Sequence, residues 1–202
     1  MIGFYNEAGA IYRLKVPFER IYTSVFLIDT EEAKILMDCA TTAEDVDRYI
    51  LPALKSFGYD LSEIDAIVIS HRHEDHAGGL KRITELAPSI KVITEIRPLP
   101  KGLSIYPLPG HTKDCIGILD EGSHTLISVD GIQGEGIDKY RCSLKDPEAY
   151  LRTLEKIKND ERIENILFSH AYEPWNEDSC RGRENVLKCI AFCENYSEQK
   201  NL

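Results

Sequence analysis

The order of segments in this 202-residue chain predicts an α+β fold of two sheets packed together with helices outside. Three observations carry that expectation. Strand-like runs form two clusters, one before residue 40 and one after residue 90, and helical patterns follow each cluster. Most of these runs are continuously apolar, which suits strands covered on both faces. Polar residues of one chemical kind then recur where the runs end: Asp38, His71, His111, Asp130 and His170.

Taken in order, the first forty residues read as a β-meander. Ala10 to Val16 alternates, and could be an edge strand open to pairing. Tyr22 to Ile28 is more continuously apolar, and Lys34 to Asp38 follows the polar turn Asp29-Thr30-Glu31-Glu32. A helix is expected to start at a capping pattern, Thr41 with Glu44 three residues on, and to close at Gly58. Its apolar stripe is Val46, Ile50, Ala53 and Phe57. The strand Ile64 to Ile69 comes next, then a helix from Ala77. The second β-rich stretch holds Ile90 to Thr94 and Leu103 to Leu108, then a hairpin of Cys115 to Leu119 and Thr125 to Val129 around the turn Asp120 to His124. A helix from about Pro147 presents Leu151, Leu154 and Ile157 on one face. The strand Asn165 to Ser169 delivers His170, and a last helix covers about Gly182 to Tyr196.

Length and composition fit a single domain over 1–202 with a sizeable core: 43% hydrophobic and 29% charged residues. Against 34 acidic residues stand 24 basic ones, a net charge of −10. Such a surface repels phosphate backbones, so nucleic acid is not an expected partner. No apolar run approaches membrane-spanning length, and no basic region followed by an apolar core marks a secretory signal. The six cysteines form no Cys-x-x-Cys pair, which fits reduced thiols in a cytoplasm. Cys189 and Cys193 share a helical stripe with Val186 and Ile190 and are read as core. A monomer or a homodimer fits equally.

The stretch that organises the chain is Ser70-His71-Arg72-His73-Glu74-Asp75-His76, directly after a buried strand. In extended chain, side chains two apart share a face, so His71 and His73 can chelate one ion. Asp75 and His76 follow as the chain turns towards a helix and can face a second ion nearby. A histidine-rich surface loop is the plain alternative, but three of the chain's six histidines fall in this hexapeptide. His124, in a turn, is read as solvated and idle.

These residues resemble the metal-ligand motifs of the metallo-β-lactamase-fold hydrolase superfamily. His-x-His-x-Asp-His stands at His71, His73, Asp75 and His76. Pro-Gly-His-Thr contains His111, an aspartate precedes a glycine at Asp130, and Ser-His-Ala contains His170. The resemblance implies a four-layer αββα sandwich of two mixed sheets flanked by helices. It implies His71, His73 and His111 on a first metal, Asp75, His76 and His170 on a second, and Asp130 bridging both. Asp38 matches the family's first-motif aspartate, which orients neighbouring groups and suits an imidazole N–H.

Imidazoles and carboxylates favour two divalent ions, zinc first, with manganese or iron as alternatives. Such a pair about 3.5–4 Å apart yields hydroxide at neutral pH, and Asp75 and Asp130 are the catalytic candidates. Hydrolysis of a small thioester, lactone or other ester follows as the expected activity. The metal site is similar to that of glyoxalase II-type thioester hydrolases, but only about thirty residues follow His170, room for one helix and no substrate domain. Similar lactonases carry tyrosine where this chain has Gln133, and the usual glycine before the bridging aspartate is Val129. Gln133, Tyr140, Arg141, Tyr172 and Trp175 follow metal motifs in loops and are candidates for the substrate pocket. Three rival readings differ in kind. One is a mono-iron, oxygen-dependent sulfur oxidoreductase using His71, His111 and Asp130. Another is a metal-dependent phosphodiesterase or nuclease, which the acidic balance opposes. The last is a metal-stabilised binding module, for which closed Cys/His sites are usual.

Overall fold

The computed structural model describes residues 3–134, 136, 143–171 and 177–200, with side chains through 198. The chain divides into two compact units, Met1–Thr94 and Glu95–Leu202.

The first unit is a six-stranded sheet in the order β1-β2-β3-β4-β5-β6. Its strands are β1 (Tyr5–Ala8), β2 (Ile11–Phe18), β3 (Ile21–Asp29), β4 (Lys34–Met37), β5 (Ala66–Val68) and β6 (Lys91–Ile93). The first four pair antiparallel, whereas β4, β5 and β6 run parallel. Parallel neighbours need a crossover. From β4 to β5 it runs through α1 (Ala43–Asp45), a wide π turn (Val46–Ile50) and α2 (Leu51–Phe57). Pro52 has no N–H for the carbonyl one turn back, and the wide turn accommodates its ring. From β5 to β6 the crossover is α3 (Glu74–Ala77) and α4 (Leu80–Leu86). Leu14, Val16, Val25, Leu27 and Leu36 from the strands pack against Val46, Ile50, Leu54 and Ile83 from the helices.

The second unit is a five-stranded sheet in the order β11-β10-β9-β8-β7. It comprises β7 (Leu103–Pro107), β8 (Ile116–Asp120), β9 (Thr125–Val129), β10 (Asn165–Phe168) and β11 (Ser179–Arg181). Only β9 and β10 are parallel, joined through α5 (Pro147–Lys158). The C-terminal helix is α6 (Arg183–Lys200). Every residue of β8 and β9 is buried, as the unbroken apolar runs predict. A separate core joins Leu119, Leu126, Ile166 and Phe168 to Tyr150, Leu154 and Ile157 of α5 and to Val186, Ile190 and Cys193 of α6. Among the described residues, no helix is long and apolar enough to cross a membrane.

Several local expectations shift. The cap of the first crossover is Thr42, not Thr41: its hydroxyl accepts from the Asp45 N–H (3.1 Å) while the Asp45 carboxylate accepts from the Thr42 N–H (2.9 Å). The hydrogen-bonding pair Thr42/Asp45 is as good a box as Thr41/Glu44, and sequence spacing does not separate them. The helix expected from Ala77 starts at Glu74 and breaks at Gly78-Gly79, so Asp75 and His76 are helical. β2 is not an edge, because β1 covers it. Phe57 and Leu151 are half-buried, and so is Cys189, whereas Cys193 is core. β11 falls in a polar segment with no periodicity to announce it. Thr42→Ala should cost about 1 kcal/mol of stability, read as a lowered denaturant midpoint with unchanged slope.

Candidate metal centre

In the first unit the ligand candidates hang on the segment after β5 and on α3 itself. Asp38 follows β4 with φ 64°, a left-handed conformation that aspartate tolerates better than most residues. Its buried carboxylate accepts from the Ser70 N–H and the Ser70 hydroxyl, both at 2.8 Å, and meets His76 Nδ1 at 2.7 Å. That contact places the His76 proton on Nδ1 and turns Nε2 outward, to 3.4 Å from Asp75 Oδ2. Ser70 Oγ also lies 3.0 Å from His71 Nδ1, which directs His71 Nε2 to within 3.0 Å of His73 Nδ1. Two ring nitrogens so spaced match two donors on one ion at about 2.0–2.1 Å each. Beside them, burial and then the Asp38 charge push the Cys39 thiol far above its ordinary range. The thiol donates to the His76 carbonyl at 3.2 Å.

In the second unit His111 follows Gly110, whose φ is 147°. A side chain at Gly110 would meet Tyr150 Cβ at 2.5 Å, so only glycine lets this turn lie against α5. Thr153 on α5 donates to the Pro109 carbonyl at 2.8 Å. His111 Nδ1 donates to the Ser143 carbonyl at 2.8 Å and presents Nε2 at 3.6 Å from Asp130 Oδ2. Asp130 Oδ1 lies 3.2 Å from His170 Nε2. One carboxylate thus offers a different oxygen to each of two imidazoles. Val129, just before it, has φ 46°, a strained state for a β-branched residue that glycine would adopt freely. The β9–β10 register shifts at this point, where Val129 faces Phe168.

All seven candidate ligands lie among the described residues, with side chains mostly buried. The donor atoms are imidazole nitrogens and carboxylate oxygens, and the opposite ring nitrogens of His71, His76 and His111 are engaged by Ser70, Asp38 and Ser143. That set fits divalent zinc, manganese or iron. The sequence reading missed Ser70 and Ser143 as orienting partners. Ser70 had a signal, standing directly before the motif; a backbone carbonyl such as that of Ser143 has none. Gln133 is 3% exposed, and among the described residues its Oε1 has no hydrogen-bond partner. Tyr140, Arg141, Tyr172 and Trp175 lie outside the described residues. His124 is exposed, with Nδ1 at 3.2 Å from the Arg162 carbonyl.

A family model described as the metallo-beta-lactamase superfamily matches residues 19–93, which include Asp38 and the His71–His76 motif. The metallo-beta-lactamase from Erythrobacter litoralis shares the fold over 95% of this chain and 96% of its own, with a TM-score of 0.71 at 18% identity. The chain carries a metallo-β-lactamase superfamily domain. Its two mixed sheets and their helices are those of that fold. The beta-lactamase-like protein 2 homolog of Drosophila melanogaster is 30% identical over 67% of this chain and 54% of its own length. A hydroxyacylglutathione hydrolase of Aliivibrio fischeri is 26% identical over 61% of this chain and 59% of its own. The chain thus spans little more than half the length of the curated relatives it matches.

Asp38→Asn keeps the side-chain size and its tolerance of positive φ, but sets an NH2 donor against His76 Nδ1. The His76 proton then moves to Nε2 and closes that ligand position. Metal affinity should fall about 10–100-fold, measured by competition with a chromogenic chelator. Unchanged affinity would remove the orienting role of Asp38.

Proposed function

We propose that the chain is a metal-dependent hydrolase in which the two ligand sets serve one dinuclear site. His71, His73 and His111 hold the first ion, Asp75, His76 and His170 the second, and Asp130 bridges. The observation that carries this reading is the Asp130 carboxylate, with Oδ2 towards His111 and Oδ1 towards His170. A bridging ligand needs that split. When bound, two divalent ions supply an acidified water and a Lewis acid for a carbonyl oxygen.

The residues around them do the rest. Asp75, partly buried and beside His76, is placed to accept a proton from the attacking water. Asp38 and Ser70 keep the imidazoles in the tautomers that leave ligand nitrogens free. Gln133, three residues after Asp130, carries a buried amide oxygen without a donor among the described residues, and a substrate N–H or O–H would satisfy it. The substrate is a small ester-type molecule. A relative named for hydroxyacylglutathione hydrolysis supports a glutathione thioester as the first to try, ahead of lactones and other esters.

The deciding measurement is metal content per chain in protein purified without chelator, together with hydrolysis of a thioester panel. About two zinc or manganese ions are expected, with activity lost on chelation and restored by metal. Asp130→Ala should abolish turnover and lower the bound metal. One iron per chain, with oxygen-dependent turnover, would replace this reading with the sulfur oxidoreductase. Gln133→Ala should raise KM severalfold and leave metal content unchanged; an unaltered KM would exclude Gln133 from substrate binding.

A further inference from the structure

Within the first unit, the helix that bears Asp75 and His76 is only four residues long, and its outgoing carbonyls need partners from elsewhere. Gly78 N–H closes on the Glu74 carbonyl, but Gly79 N–H goes to Ala40 O at 3.3 Å, not to Asp75 O. The His76 carbonyl accepts from the Cys39 N–H at 2.8 Å and from the Cys39 thiol. On that side the helix lies hard against the 39–41 segment. A side chain at Gly78 would meet Thr41 O at 1.8 Å, and one at Gly79 would meet Cys39 O at 2.2 Å. This clamp holds His76. It does not reach Asp75.

The Asp75 carbonyl is instead taken by Thr23, whose hydroxyl donates to it at 3.0 Å. Thr23 lies on β3, fully buried, 52 residues away in sequence and on the same face as Val25 and Leu27. We propose that Thr23 is a positioning residue for Asp75: its hydroxyl fixes the start of α3, and thereby the Asp75 carboxylate, independently of the clamp on His76. The proposal rests on the reading of Asp75 as a ligand of the second ion. Its consequence is selective. Loss of the Thr23 hydroxyl should weaken the ion that uses Asp75 and leave the one that uses His71 and His73 as it was.

The test is a titration of metal-free protein with zinc against a chromogenic chelator, and with cobalt by visible absorption, for wild type, Thr23→Val and Thr23→Ser. Wild type should show two binding events. In Thr23→Val, one event should weaken by at least about tenfold, the scale for partners that orient a ligand, while the other stays in place. Serine keeps the hydroxyl and should restore both. Thr23→Ala gives the same comparison where valine is not tolerated, with circular dichroism establishing that each variant is folded. Two wild-type-like events in folded Thr23→Val or Thr23→Ala overturn the proposal. So does a serine variant that behaves as valine does, since the methyl group and not the hydroxyl would then matter. A single event in wild type overturns the dinuclear reading itself, and this proposal with it.

Discussion

The Asp38 carboxylate is the group on which the first ligand set depends. It is fully buried, and a buried carboxylate persists only when its oxygens are well bonded. Three donors meet that demand: the Ser70 N–H, the Ser70 hydroxyl and His76 Nδ1. The same three bonds fix the tautomer of His76 directly and the direction of His71 through Ser70 Oγ. One anion therefore orders two imidazoles. The left-handed backbone at Asp38 and Ala40, with φ of 64° and 59°, is the strain that this arrangement sustains, a cost of order 1–3 kcal/mol per residue.

The second unit stores strain at the matching place. Val129 is a β-branched residue at φ 46°, fully buried, and it stands immediately before Asp130. The Ser128 hydroxyl lies 2.9 and 3.1 Å from the carbonyls of Ile132 and Leu167 and shares its one proton between them, which ties the turn to the neighbouring strand beside Val129. Glycine at this position would take the same φ without strain but would forfeit a buried side chain. That exchange accounts physically for a valine where the resembling family commonly has glycine.

The candidate ligands stand out in the sequence because three independent rules coincide there: imidazoles and carboxylates at chelating spacing, placement at strand ends, and glycines beside them. The strands were legible from continuous apolar runs, which burial on both faces requires. What escaped has a physical cause in each case. Thr23 and Ser143 act through hydrogen bonds across 52 and 32 residues, and no local pattern encodes such bonds. The start of α3 at Glu74 was hidden because His73 makes no side-chain cap, and the break at Gly78-Gly79 reflects close approach to residues 39–41, a tertiary demand. The choice of Thr42 over Thr41 as cap is a one-residue matter of backbone direction. Gln133 is a pocket candidate because it follows the Asp130 motif in a loop, and the depth to which the turn buries it is a tertiary matter.

The recurrence of parallel pairs explains why these positions carry the chemistry at all. Each unit is mostly antiparallel, yet most of its candidate ligands follow strands of its parallel portion; His111, which comes after the antiparallel strand β7, is the exception. Met37 pairs with Val68 at the ends of β4 and β5, so Asp38 and Ser70 emerge side by side. Val129 pairs with Phe168 at the ends of β9 and β10, so Asp130 and His170 emerge 3.2 Å apart. Antiparallel neighbours end at opposite edges and cannot do this. Parallel neighbours end at the same edge, and the first polar residues beyond them are brought within bonding distance whatever their separation in sequence. The crossover helices that parallel pairing requires then serve twice, since α3 itself bears Asp75 and His76, and α5 supplies the Thr153 bond and the Tyr150 wall that seat the His111 turn. The same constraint, met once in each sheet, places one carboxylate and its imidazole partner at each sheet edge before any ion is bound.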